Sequence, residues 1–325
     1  MKNDSTFLDQ FSPYFSKIDE ELEGIFKTNV SLIADIGRHS LLGGGKKLRP
    51  LFFILSCRLC NYNEGDIYSL STIFECVHAA SLLHDDVVDN ALLRRGKSSA
   101  NKIWGNFAAV LVGDYLFARS ARIAIDRKHF KLLRAISDAA IKMSEGQALE
   151  IVNAYNLKMT KSRYLNIITW KTAELISAAC SCGAILAGEK EETVRSLRRF
   201  GLNMGIAFQI IDDLFDYVSN EKETGKPEGN DIREGKVTLP LIYLLVNLGE
   251  EEKNSLQSLF KSAKTSRKDY IKFIELVNSN GIIRKCRDEA QHYAEMAETN
   301  LAIFPDSQAK ESLLELNRFI VERTY

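Results

Sequence analysis

Six carboxylates recur in one repeated pattern. In "LLHDDVVDN" (82–90) Asp85, Asp86 and Asp89 stand at i, i+1 and i+4, and in "QIIDDLFDY" (209–217) Asp212, Asp213 and Asp216 repeat that spacing. On a helix, i and i+4 share a face, so each pattern crowds like charges and destabilises its helix unless cations neutralise it. Carboxylates without nearby cysteine or clustered histidine are hard oxygen ligands, suited to magnesium rather than zinc or copper. Magnesium keeps waters and is completed by substrate phosphates, so two such patterns facing each other would hold a polyphosphate between metal ions. The bland alternative is a solvated acidic face. With 18 aspartates in the chain, chance predicts on the order of 0.05 such patterns, which makes a pair hard to attribute to accident. Both also follow apolar helix ("HAASLL" and "GIAF"), where unneutralised charge is costly.

An anion of that kind needs cations from the protein as well. Lys46, Lys47 and Arg49 follow the glycine turn at 43–45, and Arg94 and Arg95 follow the first acidic pattern. Lys226 and Lys236 lie in the polar loop "SNEKETGKPEGNDIREGK" (219–236), and Lys171 and Thr172 interrupt an apolar run. Together these exceed what one metal-bound diphosphate requires. A second anion, bound directly by arginine and lysine, would use the surplus. The glycine turn is not a Walker loop, because Ser40 replaces its first glycine and Lys47 its Ser/Thr. His78, seven residues before Asp85, shares nearly the same helical face, and His84 flanks Asp85 as a supporting group.

The elements that must position these residues read as helices. "YLNIITWKTAELISAACSCGAILAG" (164–188) keeps helix period, and Pro50 suits a first helical turn. Asn-Gly and Asp-Gly turns between β-rich runs are scarce, so hairpins are poorly supported. The spacing predicts an all-α fold of about ten or more helices. One domain is expected over 1–325, with the motifs in a core at about 40–245 and charged surface helices at about 250–325. "LPLIYLLVNLG" (239–249) is apolar nearly all round and is expected to be central. The chain carries 43 basic and 43 acidic residues, which gives no electrostatic case for nucleic acid. No apolar run approaches the roughly 18 residues of a membrane span, and "MKNDSTFLDQFSPYF" lacks a signal-peptide layout, so a cytoplasmic location is expected. The six cysteines are expected to be reduced and buried, and "CRLC" (57–60) lacks the second pair of a zinc site.

The ordered set "GGGKKLRP", "LLHDDVVDNALLRRGK", "GDYLFARS", "KTAEL", "GIAFQIIDDLFDY" and "GKPEGNDIREGKVTLPL" resembles the trans-type polyprenyl diphosphate synthases across about residues 40–245. That resemblance implies a helical barrel around a deep central cavity, usually as a homodimer. It implies head-to-tail condensation of isopentenyl diphosphate with an allylic diphosphate, here farnesyl or geranylgeranyl diphosphate, with magnesium as cofactor, three ions when substrate is bound. It implies that Asp85, Asp89 and Asp212 ligate metal directly, with Asp86, Asp213 and Asp216 as weaker or water-mediated partners. Arg94 corresponds to the arginine on the allylic diphosphate, and Lys46, Arg49, His78 and Arg95 to the isopentenyl diphosphate pocket. Lys171, Thr172, Gln209, Lys226 and Lys236 correspond to groups supporting the allylic diphosphate and the cation beside it.

In that family, bulky residues just before the first motif shorten the product. Here Ala80 and Ser81 are small, Cys76 and Val77 leave room, and Phe74 is the first bulky residue upstream. From Phe74 to Asp85 is about 16 Å of helix, the length of roughly three or four isoprene units. The cavity floor is expected at Phe74 or deeper. A product of about C30–C50 is therefore expected, octaprenyl as the central value, suited to a quinone side chain. Partner expectations include a transient membrane contact for product release. The alternatives are a farnesyl or geranylgeranyl synthase, a non-catalytic subunit that would have lost aspartates, and a terpene cyclase, whose second motif would carry other ligands.

Overall fold

The computed structural model describes residues 7–218, 229–261 and 267–323. In chain order the α-helices are α1 (Ser12–Ile25), α2 (Ser31–Leu41), α3 (Leu48–Leu59), α4 (Ile67–Val88), α5 (Ala100–Trp104), α6 (Asn106–Asp126), α7 (Phe130–Asn153) and α8 (Lys161–Ile168). They continue with α9 (Glu174–Leu186), α10 (Glu191–Val218), α11 (Asn230–Arg233), α12 (Leu239–Asn247), α13 (Glu250–Lys261), α14 (Arg267–Ser279), α15 (Ile282–Asn300) and α16 (Gln308–Glu322). The all-α expectation holds. The chain divides into two compact units. Unit 1 comprises the described residues up to Ala140, with Leu175–Gly201 and Asn300–Leu314. Unit 2 comprises Ile141–Glu174, Leu202–Thr299 and the described residues from Glu315 onward.

Unit 1 is organised on α4, whose Ile67, Leu70, Ile73, Phe74, Val77, Ala80 and Leu83 are buried. This helix packs most heavily on α6 and then on α3. Its Ser71 and Thr72 hydroxyls are satisfied within the helix by the carbonyls of Tyr68 and Ser69, both at 2.6 Å, so the buried surface leaves neither of them unpaired. Lys47, at φ 44°, ends the glycine turn in the left-handed region, and Pro50 then sits in the first turn of α3, where its missing N–H costs nothing.

One local feature differs from the sequence reading. Leu93–Arg94 and Lys97–Ser98 form a two-stranded antiparallel hairpin. Its turn residues Arg95 and Gly96 have φ 52° and 73°, the two positive values a tight primed turn requires. Arg-Gly lacks the usual Asn-Gly signature. Arg95 tolerates the conformation because its guanidinium donates to the Gly44 carbonyl, which ties the hairpin to the glycine turn.

In unit 2 a single cluster joins Tyr164, Ile167, Ile210, Leu214 and Tyr217 to Leu239, Leu241 and Leu244 of α12. The charged C-terminal region reaches the same cluster through Tyr270, Phe273, Val277 and Cys286, as amphipathic helices do. Between α8 and α9 the residues Thr169–Ala173 form a π-helical turn, a feature that often marks functional sites. Gly146 makes room for it, since a Cβ there would lie 2.5 Å from the Lys171 backbone nitrogen. Among the described residues no helix is long and apolar enough to cross a membrane. All six cysteines are free and buried.

Candidate active site

The first acidic motif ends α4. Asp85 and Asp86 lie in its last turn and Asp89 is the capping residue, so three carboxylates sit at the negative end of the helix dipole. Asp86 is buried, and one of its oxygens accepts from both Nε and Nη2 of Arg94. Its backbone carbonyl accepts from Ala91 and from Asn101 Nδ2 at 3.0 Å. Asp86 therefore anchors the hairpin, while Asp85 keeps part of its surface in solvent and Asp89 is exposed. His84 places Nε2 3.2 Å from the Val110 carbonyl and 3.4 Å from Asp114 of α6. A side chain on Gly113 would collide with that imidazole.

Beside this motif a basic pocket assembles. Arg49, Arg94 and Arg95 all act on His78, which burial and these guanidiniums hold well below its ordinary value, so the imidazole is neutral near pH 7. Lys97 donates to the Gly43 carbonyl at 3.0 Å, and Lys47 pairs with Asp19. Lys46 and Arg49 are half-buried beside them. A solvent-open cleft of about 460 Å³ has Arg94, Arg95 and Lys97 on its walls. An unanticipated group is Glu75, buried on α4 within the influence of Arg49, Arg95 and Lys47. Burial raises its carboxyl while those cations oppose the rise.

The second motif ends α10 and is divided in the same way. Asp213 is buried, and its oxygens accept from the Tyr164 hydroxyl and from Gln209 Nε2, each at 2.7 Å. Burial, followed by the nearby Asp231, raises its carboxyl above the ordinary range. Asp216 accepts the backbone N–H groups of Asn230 and Asp231, each at 3.0 Å, and so caps the start of α11. Asp212 is 51% exposed and accepts from Arg323 at 3.2 Å. Thr172 donates to Gln209 at 2.8 Å, and Lys171 pairs with Glu150. Lys236 pairs with Glu234 at 2.7 Å and also senses Glu150 and Asp231, which raise its ammonium against the opposing effect of burial. Lys226 lies outside the described residues.

Among the described residues no three His, Cys, Asp or Glu side chains are preassembled around an ion. The donor set nevertheless suits magnesium. Asp85, Asp89 and Asp212 offer hard oxygens at helix carbonyl ends, and magnesium accepts few protein ligands when water and phosphate complete its shell. The upstream positions on α4 differ from one another. Cys76, Val77 and Ala80 are 0% exposed, whereas Ser81 is half-buried with its hydroxyl on the His78 carbonyl. Phe74 is fully buried, its ring 5.1 Å from that of Phe53 on α3.

Glu75, Glu150, Tyr164 and Arg323 were absent from the sequence reading. The two glutamates carried a usable signal, an acid embedded in an apolar helical run ("IFECV", "ALEIV"). Tyr164 and Arg323 carried none, because their partners lie 49 and 111 residues away.

Residues 30–277 match the polyprenyl synthetase family. The chain is 34% identical over 296 residues to octaprenyl diphosphate synthase of Escherichia coli (strain K12), spanning 91% of each protein. It is 36% identical over 310 residues to the all-trans-nonaprenyl-diphosphate synthase (geranyl-diphosphate specific) of Rhodobacter capsulatus, 95% of this chain and 94% of that one. A crystal structure of a polyprenyl synthase from Caulobacter crescentus CB15, complexed with calcium and isoprenyl diphosphate, superposes with a TM-score of 0.94 at 34% identity, covering 100% of this chain and 99% of that one. Relatives named for heptaprenyl and geranylgeranyl products match as well, so similarity of this order does not fix the product.

Proposed function

Because the chain belongs to the polyprenyl synthetase family and is a prenyltransferase, we propose that it is a long-chain trans-polyprenyl diphosphate synthase. It extends an allylic diphosphate with isopentenyl diphosphate to about C30–C50, with octaprenyl diphosphate as the central product. The observation that carries this reading is that each acidic motif pairs a buried carboxylate bonded inside the protein, Asp86 or Asp213, with carboxylates that reach solvent, Asp85 and Asp89 or Asp212. Asp86, Asp213 and Asp216 brace the scaffold, and Asp85, Asp89 and Asp212 serve the ions of one allylic diphosphate. Magnesium bound by those three would supply the charge that stabilises the departing diphosphate.

The remaining roles belong to the chain itself. Lys171, fixed by Glu150, and Thr172, fixed by Gln209, hold a cation and a hydroxyl beside the allylic group, and Lys236 adds a second ammonium near Glu150. Lys226 belongs to the same set by sequence, and Arg94 complements the leaving charge. Lys46, Arg49, Arg95 and neutral His78 bind isopentenyl diphosphate, His78 as a hydrogen-bonding group rather than a charge. The allylic C–O bond breaks, the isopentenyl double bond attacks the allylic cation, and the proton lost from the new chain goes to the released diphosphate. The chain works as a homodimer, and α6 offers the face, with Phe107 90% and Leu111 65% exposed.

The test incubates the lone protein with isopentenyl diphosphate, farnesyl diphosphate and magnesium, followed by chromatography of the dephosphorylated products. A series ending near C40 is expected. Products confined to C20 or below would return the chain to the short-chain class, and no product at all would leave it as a non-catalytic subunit.

A further inference from the structure

We infer that Arg323 is a positioning residue for Asp212, fixing one carboxylate oxygen so that the other is presented to the ion. The inference rests on the reading of Asp212 as a metal ligand. Arg323 follows directly on α16 and is only 6% exposed, a burial that a guanidinium tolerates only with several compensating partners. Its partners lie along one face of α10. The guanidinium carbon sits 4.2 Å from the Phe208 ring centroid and 5.0 Å from that of Phe215, and Nη2 donates to the Phe208 carbonyl at 3.3 Å and to Asp212 Oδ1 at 3.2 Å. Phe208, Asp212 and Phe215 are spaced i, i+4 and i+7, so one planar group spans the two turns that carry the motif.

The order of constraint matters. Two rings and a backbone carbonyl fix the guanidinium whatever Asp212 does. Its helix is held in turn, since the fully buried Asn317 donates to the Ala294 carbonyl at 2.9 Å and Arg318 pairs with Glu298. Asp212, half in solvent, is the adaptable member and would otherwise sample several rotamers. Asp213 and Asp216 are already committed to Tyr164, Gln209 and the α11 backbone, so Asp212 is the carboxylate of this motif whose orientation decides ion binding. The permanent positive charge also offsets the repulsion among three aspartates at one helix end. Outer partners that orient a ligating carboxylate typically contribute 10- to 100-fold to metal affinity.

The test is calorimetric titration of magnesium with inorganic pyrophosphate, without turnover, into wild type and the variants R323A, R323K and D212A. R323A is expected to weaken binding about tenfold while leaving the KM for isopentenyl diphosphate unchanged. R323K keeps the charge but not the planar fork, so it is expected to stay weak, and it gives the same answer should R323A fail to fold. Wild-type binding in R323A, or full recovery in R323K, would overturn the inference. If D212A also binds like wild type, the metal reading of Asp212 falls with it. If D212A loses binding and R323A does not, only the role of Arg323 falls.

Discussion

At the scale of single residues, placing carboxylates at a helix carbonyl end opposes both the dipole and their mutual repulsion. Replacing Asp85 by alanine removes one of those charges, so the ligand-free protein is expected to melt no lower than wild type. Turnover is expected to fall by at least about 10²-fold, because the ion proposed to stabilise the leaving charge would lose a ligand. Steady-state kinetics beside a thermal melt separates the two, and near-normal turnover would remove Asp85 from the metal set. His78 gives a prediction in pH. Its folded value lies well below the ordinary 6.5, so as pH falls through that value the unfolded chain takes up a proton that the folded chain refuses. Its contribution to stability is therefore intact above 6.5 and is lost toward acid. His78→Gln should flatten the decline in urea stability from pH 7.5 to 5.5. The aspartate spacing was legible in the sequence because it is local. Glu75 showed only as an acid embedded in an apolar run, without the cations that act on it, and Arg323 not at all, since the rings beneath it come from a distant stretch.

At the scale of elements, α4 combines two tasks, since it fills the core of unit 1 and ends in the first motif. Ser81 lies three residues after His78 and four before Asp85 and stays half open, so it marks the open face of the helix. Ser81→Phe is expected to shorten products to about C15–C20 with little change in stability. Ala80→Tyr should shorten them too, but its site is sealed, so overpacking should also cost about 1–3 kcal/mol. Product chromatography and urea melts on both variants check this, and unchanged length in both would place the tail along another helix. Helix period made α4 and α10 legible in advance. The hairpin and the π turn were not, because one depends on Arg95 reaching the Gly44 carbonyl and the other on Gly146 admitting the Lys171 backbone.

At the scale of the whole molecule, formal charges cancel, so the homodimer proposed above would rest on surface shape and apolar area rather than on net field. Phe107 and Leu111 lie one turn apart on α6 and are largely bare, which makes them the place to break a dimer. The double change Phe107→Glu and Leu111→Glu is expected to halve the mass seen by analytical ultracentrifugation, and an unchanged mass would move the interface elsewhere. One carboxylate has a further effect on architecture. Asp216 accepts the first N–H groups of α11, and its own carbonyl accepts from Gly229, so this residue joins the described chain on either side of 219–228. One side chain of the second acidic motif thus sets where the next helix begins, and a change at Asp216 reaches the α11 backbone as well as the motif.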